Sequence, residues 1–323
     1  MISAEPAILA SAMLLDLALG DPRWLPHPVV LIGRLITTLD TTFDRIGAHQ
    51  RAAGVALLVL TAGSAGAAAW LIIRGSLHLH PLAGFLASVI ISYTCLATRS
   101  LHRESALVAD ALAAGNLVEA RRCLAHIVGR DTAELDEGGI WRALVETVAE
   151  NTTDGIVAPL FWLTATGPVG GMVYKAVSTL DSMVGYKSER YLRFGWASAR
   201  MDDLLNFIPS RLTALLMILA APLAGLSPTG ALSIVLRDRL KHPSPNSGHP
   251  EAAAAGALGV RLGGPSTYKG IPSWKEYIGL PLEPLNEQAY RGMLKLMYLT
   301  TLLMAGACIA GAYALGGTLV PHL

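Results

Sequence analysis

The chain has 323 residues, of which 52% are hydrophobic and only 15% charged, and its formal net charge is +1 at pH 7. A soluble chain of this size carries roughly a quarter charged residues, and a nucleic-acid binder needs a basic field that this balance does not supply. Composition therefore excludes an ordinary soluble domain and a nucleic-acid partner, and it points to an integral membrane protein in contact with a lipid bilayer.

In chain order, residues 4–20 are apolar but short, and they contain Glu5 and Asp16. No Lys or Arg precedes the apolar core, so the pattern is that of a first span rather than a cleaved signal peptide. Asp21-Pro22 and Pro26-His27-Pro28 then predict a stiff turn. Residues 52–73 and 81–98 are uncharged and long enough to cross a bilayer. Residues 99–154 predict a helical insertion: Gly115-Asn116 stops a first helix, Asp131 and Thr132 cap a short turn, and Asp136 or Glu137 opens the next helix. The uncharged stretch 155–174 is interrupted by Pro159, Gly167, Pro168, Gly170 and Gly171, and 212–236 by Pro222, Gly225, Pro228 and Gly230. Broken helices of this kind survive at membrane depth only where protein or water covers the freed backbone. Residues 241–285, rich in Pro, Gly and Ser, predict mostly loop, with a helix at 250–261. A last span covers 296–320. The expected fold is all-α and polytopic, a single integral membrane domain over 1–323 with broken or re-entrant helices. Residues 99–154 form its cytoplasmic helical insertion and 237–295 a cytoplasmic Pro/Gly-rich region.

Basic residues give the orientation. Residues 21–51 hold four Lys/Arg, 99–206 hold eleven and 237–295 hold eight. The positive-inside rule puts all three on the cytoplasmic side. That requires 212–236 to enter and return, or to be matched by another half-crossing, and 155–174 to be re-entrant or surface-lying. The three cysteines, Cys95, Cys123 and Cys308, lie far apart and show neither a disulfide frame nor metal spacing.

Four polar clusters carry possible chemistry. In VETVAENTTDG, Glu146, Glu150 and Asp154 are spaced by four, so they share a helical face if the helix continues. Like charges at that spacing repel, and a divalent hard cation such as magnesium reverses the sign. The plainer alternative is a solvated face with Arg142 offsetting Glu146. In residues 174–212, Lys175, Asp181, Lys187, Arg190, Arg200, Asp202, Asp203, Asn206 and Arg211 alternate with Tyr and Trp. That is either an interfacial helix against headgroups or a bed for phosphate and carboxylate ligands. Asp203 and Asn206 resemble a second metal-facing pair. His27 is either a proton donor or a turn residue. HPSPNSGHPEAAAAGALGVRLGG, with Asn246, either closes over a substrate or joins two elements. No phosphate loop, dinucleotide fingerprint or nucleophile elbow is present.

Together these stretches resemble the adenosylcobinamide-phosphate synthase family of cobalamin biosynthesis (CbiB/CobD type). The residues that carry the resemblance are DPRWLPHPVVLIGRLI, VGRDTAELDEGGIWRALVETVAENTTDGIVAPLFW, YKAVSTLDSMVGYKSERYLRFGWASARMDDLLNFIPSRLTA and SPNSGHPEAAAAGALGVRLGG. Trp196, Ser210 and His249 depart from the family pattern. The resemblance implies a multi-pass inner-membrane ligase that joins aminopropanol, as its O-phosphate, to a propionate of adenosylcobyric acid, with ATP as co-substrate and Mg2+ as cofactor. Cobalt arrives only inside the corrinoid substrate.

On that reading Glu146, Glu150 and Asp154 are catalytic and bind metal, with Asp202 and Asp203 as a second metal set. Asp21, His27, Asn151, Lys175, Asp181, Lys187, Arg190, Arg200, Asn206, Arg211 and Asn246 bind the corrinoid and the aminoalcohol phosphate. A homo-oligomer, or a complex with later cobalamin-assembly enzymes, is compatible with the family. A transporter for a corrinoid or another anionic solute is the alternative from the residues alone.

Overall fold

A computed structural model describes residues 6–22, 27–46, 50–186 and 188–314. The fold is all-α and polytopic, with one small hairpin. Among the described residues, four helical runs are long and apolar enough to cross a membrane: Arg51–Leu79, Pro81–Ala113, Glu137–Val184 and Glu287–Ala314. The bent pair Trp196–Leu205 and Phe207–Ala220 makes a fifth if it counts as one span. Only 33% of the apolar window in Arg51–Leu79 is buried, and Val59, Leu60, Leu71 and Ile72 face outward. Such a surface requires lipid around it. The chain divides into two compact units.

Unit 1 comprises residues 1–97, 158–206 and 305–323. Its helices are α1 (Pro6–Leu19), α2 (Pro28–Arg45), α3 (Arg51–Leu79) and α4 (Pro81–Tyr93), then α8 (Ala158–Val184), α9 (Tyr191–Phe194) and α10 (Trp196–Leu205). At 14 residues α1 is about 21 Å long, so the described part of the first expected span is too short to cross alone. Helix α8 is broken at Gly167 (φ 71°), followed by Pro168, as the glycines and prolines of 155–174 require. Small residues set the packing of α3. A Cβ on Gly54 would lie 1.9 Å from the Phe194 carbonyl, and one on Gly66 2.8 Å from Val173.

Unit 2 comprises residues 98–157 and 207–304. It contains α5 (Thr98–Ala113), α6 (Leu117–Leu124), α7 (Glu137–Thr152), a π-helical turn (Thr153–Val157), α11 (Phe207–Ala220), α12 (Pro228–Asp238) and α13 (Gly248–Leu258). Strands β1 (Arg261–Tyr268) and β2 (Ile271–Gly279) and most of α14 (Glu287–Ala314) complete it. Gly115 (φ 69°) ends α5, Asn116 caps α6 and Asp136 caps α7 through the Gly139 N–H, as the sequence predicts. Residues 212–236 form two short helices, neither able to span. Every residue of α13 is buried. Its alanines, and the glycine contact in which a Gly256 Cβ would meet the Gly230 carbonyl at 2.3 Å, let α12 cross it closely.

Residues 261–279, expected as loop, are an antiparallel hairpin. Lys269 (φ 50°) and Gly270 (φ 77°) form its two-residue turn, the positive-φ pair that a type I′ connection needs. Asp131 does not cap a local turn. Its carboxylate accepts from the Lys269 and Gly270 N–H groups at 3.1 and 2.7 Å and fixes that hairpin turn. A bulge between Leu262 and Gly264, with Gly263 at φ 80°, frees one N–H from the ladder.

Candidate active site

The freed N–H of Gly263 donates to Glu146 Oε1 at 2.7 Å, and Arg130 Nη2 donates to Glu146 Oε2. Both side chains of that ion pair are buried, at 8% and 2% exposure for Arg130 and Glu146. One turn on, Glu150 Oε1 accepts from Ser247 Oγ at 2.8 Å. Ser247 immediately precedes α13, and four residues later Glu251 is buried at 1% exposure. Neither Glu251 oxygen has a hydrogen-bond partner among the described residues. The nearest basic nitrogen is His242 Nε2 at 3.6 Å. Lys275 Nζ, from β2, lies 3.0 Å from the same His242 nitrogen, and the Ser244 N–H donates to His242 Nδ1 at 3.0 Å. Helix α7, the loop 239–247, the start of α13 and the hairpin thus gather Arg130, Glu146, Glu150, His242, Ser247, Glu251 and Lys275.

Electrostatics separates these groups. Burial, reinforced by the nearby Glu146, lifts Glu251 well above the usual carboxylate range. Burial, with Lys275 beside it, pushes His242 down to about 4. Burial works against the Lys275 ammonium, but Glu251, Glu150 and Glu146 outweigh it and raise its affinity for the proton. His249, on the first turn of α13, is pushed down to about 4 by burial and by Arg211 and Arg239.

The structure distributes the sequence-predicted residues unevenly. Glu146 and Glu150 fall in this cluster. Asn246 and Arg211 meet nearby in unit 2: Arg211 Nη1 donates to Asn246 Oδ1 and to Ser210 Oγ at 3.3 and 3.2 Å, and its guanidinium stacks on Phe207. Asn151 turns its amide back onto the Thr147 carbonyl at 2.9 Å, so that donor is spent within α7. Asp154 is half-buried in the π-helical turn, where the α-helical spacing of four no longer holds.

The others belong to unit 1. Asp21 Oδ1 is 3.3 Å from His27 Nε2, and His27 Nδ1 caps α2 by accepting from the Val29 N–H. Arg190 is held by Asp40 at 3.2 Å. Arg200 is exposed and 3.8 Å from Asp203. Asn206 donates to Asp202 Oδ2 (3.0 Å) and accepts from Tyr174 OH (2.9 Å), so it pairs with Asp202. Lys175 and Asp181 are half-buried on α8. Lys187 lies outside the described residues.

The proposed metal set does not assemble. Among the described residues no three His, Cys, Asp or Glu side chains come together in a way that could hold a metal ion. Glu146 has one oxygen bonded to Arg130 and the other to Gly263. Sequence reasoning missed Arg130, His242, Glu251 and Lys275. The available signal was SPNSGHPE, where a glutamate directly opens an alanine-rich helix with no basic residue at helical spacing to pair with it.

A family model described as CobD/Cbib protein matches residues 9–297. The chain belongs to the CobD/CbiB family. It is 66% identical over 323 residues to the cobalamin biosynthesis protein CobD of Pelobacter propionicus, covering 100% of both chains. It is 60% identical over 292 residues to the CobD protein of Geobacter metallireducens, covering 90% of this chain and 92% of that one. The cobalamin biosynthesis protein CbiB of Salmonella typhimurium is 43% identical over 309 residues, with 95% and 97% coverage. No solved structure shows significant similarity to this chain. Membership of the CobD/CbiB family supports a role in cobalamin biosynthesis.

Proposed function

We propose that this chain is the enzyme of cobalamin biosynthesis that forms an amide between aminopropanol, as its O-phosphate, and a propionate carboxylate of adenosylcobyric acid, with ATP as co-substrate. The family places it in the pathway. The single observation that favours this reaction is the buried cluster of Glu146, Glu150, Glu251, His242 and Lys275 at the start of α13. A carboxylate and an ammonium do not condense in water, so the carboxylate has to be activated and the ammonium has to lose its proton. A site that sets acidic groups beside basic ones among buried side chains suits both requirements.

The reaction runs in two steps. The γ-phosphoryl group passes from ATP to the propionate oxygen, giving an acyl phosphate and ADP. The amine nitrogen then attacks the acyl carbon, the carbon–oxygen bond to phosphate breaks, and inorganic phosphate leaves. Magnesium accompanies the nucleotide substrate in this reading. Arg211, beside Asn246, is suited to a phosphate-bearing ligand through its fork of donors. On this reading the polar regions at 99–136 and 237–295 face the cytoplasm, where ATP is present, and the membrane is the inner membrane.

The test is an assay of detergent-purified protein with adenosylcobyric acid, aminopropanol phosphate and magnesium, with and without ATP. The expected result is ADP release together with a corrinoid product of the mass of the amide, only when ATP is present. Product formed without ATP, or uptake of unmodified corrinoid into proteoliposomes with no ligation, overturns the reading.

A further inference from the structure

We propose that Glu251 is the general base of the amine half-reaction, taking the proton from the substrate ammonium. The assignment rests on the amide-forming reading above. It starts from a defect in hydrogen bonding: Glu251 is 1% exposed, and neither of its oxygens has a hydrogen-bond partner among the described residues. Buried polar atoms are almost always bonded, so an orphaned carboxyl group marks the place of an absent partner. The residue lies in the first turn of α13, four residues after Ser247, where α7, the loop 239–247 and β2 bring ionisable side chains together.

The charged and titratable neighbours narrow the roles by elimination. Arg130 and Glu146 are committed to each other, and Gly263 takes the remaining Glu146 oxygen. Glu150 holds Ser247. His242, lowered to about 4 by burial and by Lys275, binds a proton too weakly to strip an ammonium. Lys275 stays charged beside the carboxylates and has no lone pair to offer. Glu251 is left, with its acceptors open and its proton affinity raised by burial and by Glu146 and Glu150. A carboxylate whose proton affinity is raised is a stronger base than an ordinary one. An ammonium group also suits this carboxyl group, because it brings N–H donors and a positive charge to acceptors without hydrogen-bond partners among the described residues.

The step balances. The Glu251 carboxylate takes one proton from R–NH3+, giving R–NH2 and the carboxylic acid. The amine lone pair forms the carbon–nitrogen bond as the acyl–phosphate bond breaks. The second nitrogen proton leaves with phosphate as hydrogen phosphate, and Glu251 returns its proton to solvent.

The experiment compares two nucleophiles on the same preparation. Hydroxylamine is uncharged at neutral pH and needs no base to trap an acyl phosphate as the hydroxamate. In wild type, ATP-dependent hydroxamate formation and amide formation should both be seen; absence of both counts against the ligase reading itself. In Glu251→Gln the ratio of amide to hydroxamate should fall about 100-fold or more, the usual weight of general-base catalysis, while hydroxamate formation persists. Because the readout is a ratio, a lower yield of folded protein does not mimic it. If Glu251→Gln is not recovered folded, Glu251→Asp is read in the same way and should lower the ratio by a smaller factor. A ratio unchanged from wild type in the variant that folds overturns the assignment, and so does loss of hydroxamate formation in a folded variant.

Discussion

Arg130 and Glu146 form a buried ion pair in which the Gly263 N–H occupies the second carboxylate oxygen. Glu146 therefore fastens the loop before α7 and the bulge of β1 to the helix. Removing one partner strands the other charge in a dry site, which costs about 3–5 kcal/mol, whereas replacing both with apolar groups is often near neutral. Arg130→Met should lower the thermal midpoint in detergent by several degrees, and Arg130→Met with Glu146→Leu should recover most of that loss. A double variant no more stable than the single one would show that the pair does more than satisfy itself.

Gly263 sits at φ 80°, and a Cβ there would lie 2.3 Å from the Glu276 carbonyl. Gly263→Ala should therefore destabilise unit 2 by about 1–3 kcal/mol through strain and displacement of the bulge. The hairpin turn supplies the control. Gly270 has a similar φ of 77° but nothing near its missing Cβ, and asparagine tolerates that conformation. Gly270→Asn should leave the midpoint within about 1 kcal/mol of wild type. Circular dichroism melts of the two variants in detergent check both expectations.

Acid sensitivity should trace partly to His249. Its ring is held down to about 4 by burial, Arg211 and Arg239, whereas the unfolded chain titrates near about 6.5. Between those values the unfolded state binds the proton and the folded state does not. Stability is complete above about 6.5 and declines as pH falls toward 4, by at most about 1.4 kcal/mol per pH unit for one group. His249→Asn should reduce the loss of thermal midpoint between pH 7 and pH 5. His242 is shifted in the same direction, so the double variant should reduce it further. A loss identical to that of wild type in both variants would place the acid sensitivity elsewhere.

The elements most legible in the sequence are those with strong local signals. The uncharged run at 52–73 and the described part of 296–320 lie in long helices, Asn116 and Asp136 became caps, and the Gly167-Pro168 pair broke α8, because each effect acts within a few residues. The hairpin at 261–279 was hidden because its turn is Lys-Gly rather than Asn-Gly and its strands carry Gly, Pro and charge in place of β-branched alternation. The acid–base cluster was half legible. Spacing correctly put Glu146 and Glu150 on one face, but Arg130, His242, Glu251 and Lys275 reach them only through the tertiary fold. The pairing of Glu146 was not legible for the same reason, since the spacing of carboxylates along a helix carries no information about an arginine sixteen residues earlier.

Glu150 and Glu146 should separate by experiment, although they lie one turn apart. Glu150 is half-buried and bonded to Ser247 through one oxygen, so Glu150→Gln keeps an acceptor for that hydroxyl and should cost no more than about 1 kcal/mol of stability. If its carboxylate helps to hold the incoming ammonium beside Glu251, amide formation should fall by about 10-fold or more, the scale of one charge-assisted hydrogen bond. The loss should appear mainly as a raised KM for aminopropanol phosphate, with the KM for ATP unchanged. Glu146→Gln should differ in carrying a lowered thermal midpoint from the broken pair with Arg130, and, since Glu146 raises the proton affinity of Glu251, its amide formation per folded protein should fall with the KM for aminopropanol phosphate unchanged. Steady-state kinetics on detergent-purified variants, normalised to the folded fraction, distinguishes the two. Near-normal turnover and an unchanged KM for aminopropanol phosphate in Glu150→Gln would remove that carboxylate from the reaction and leave Glu251 as the acidic side chain facing the amine.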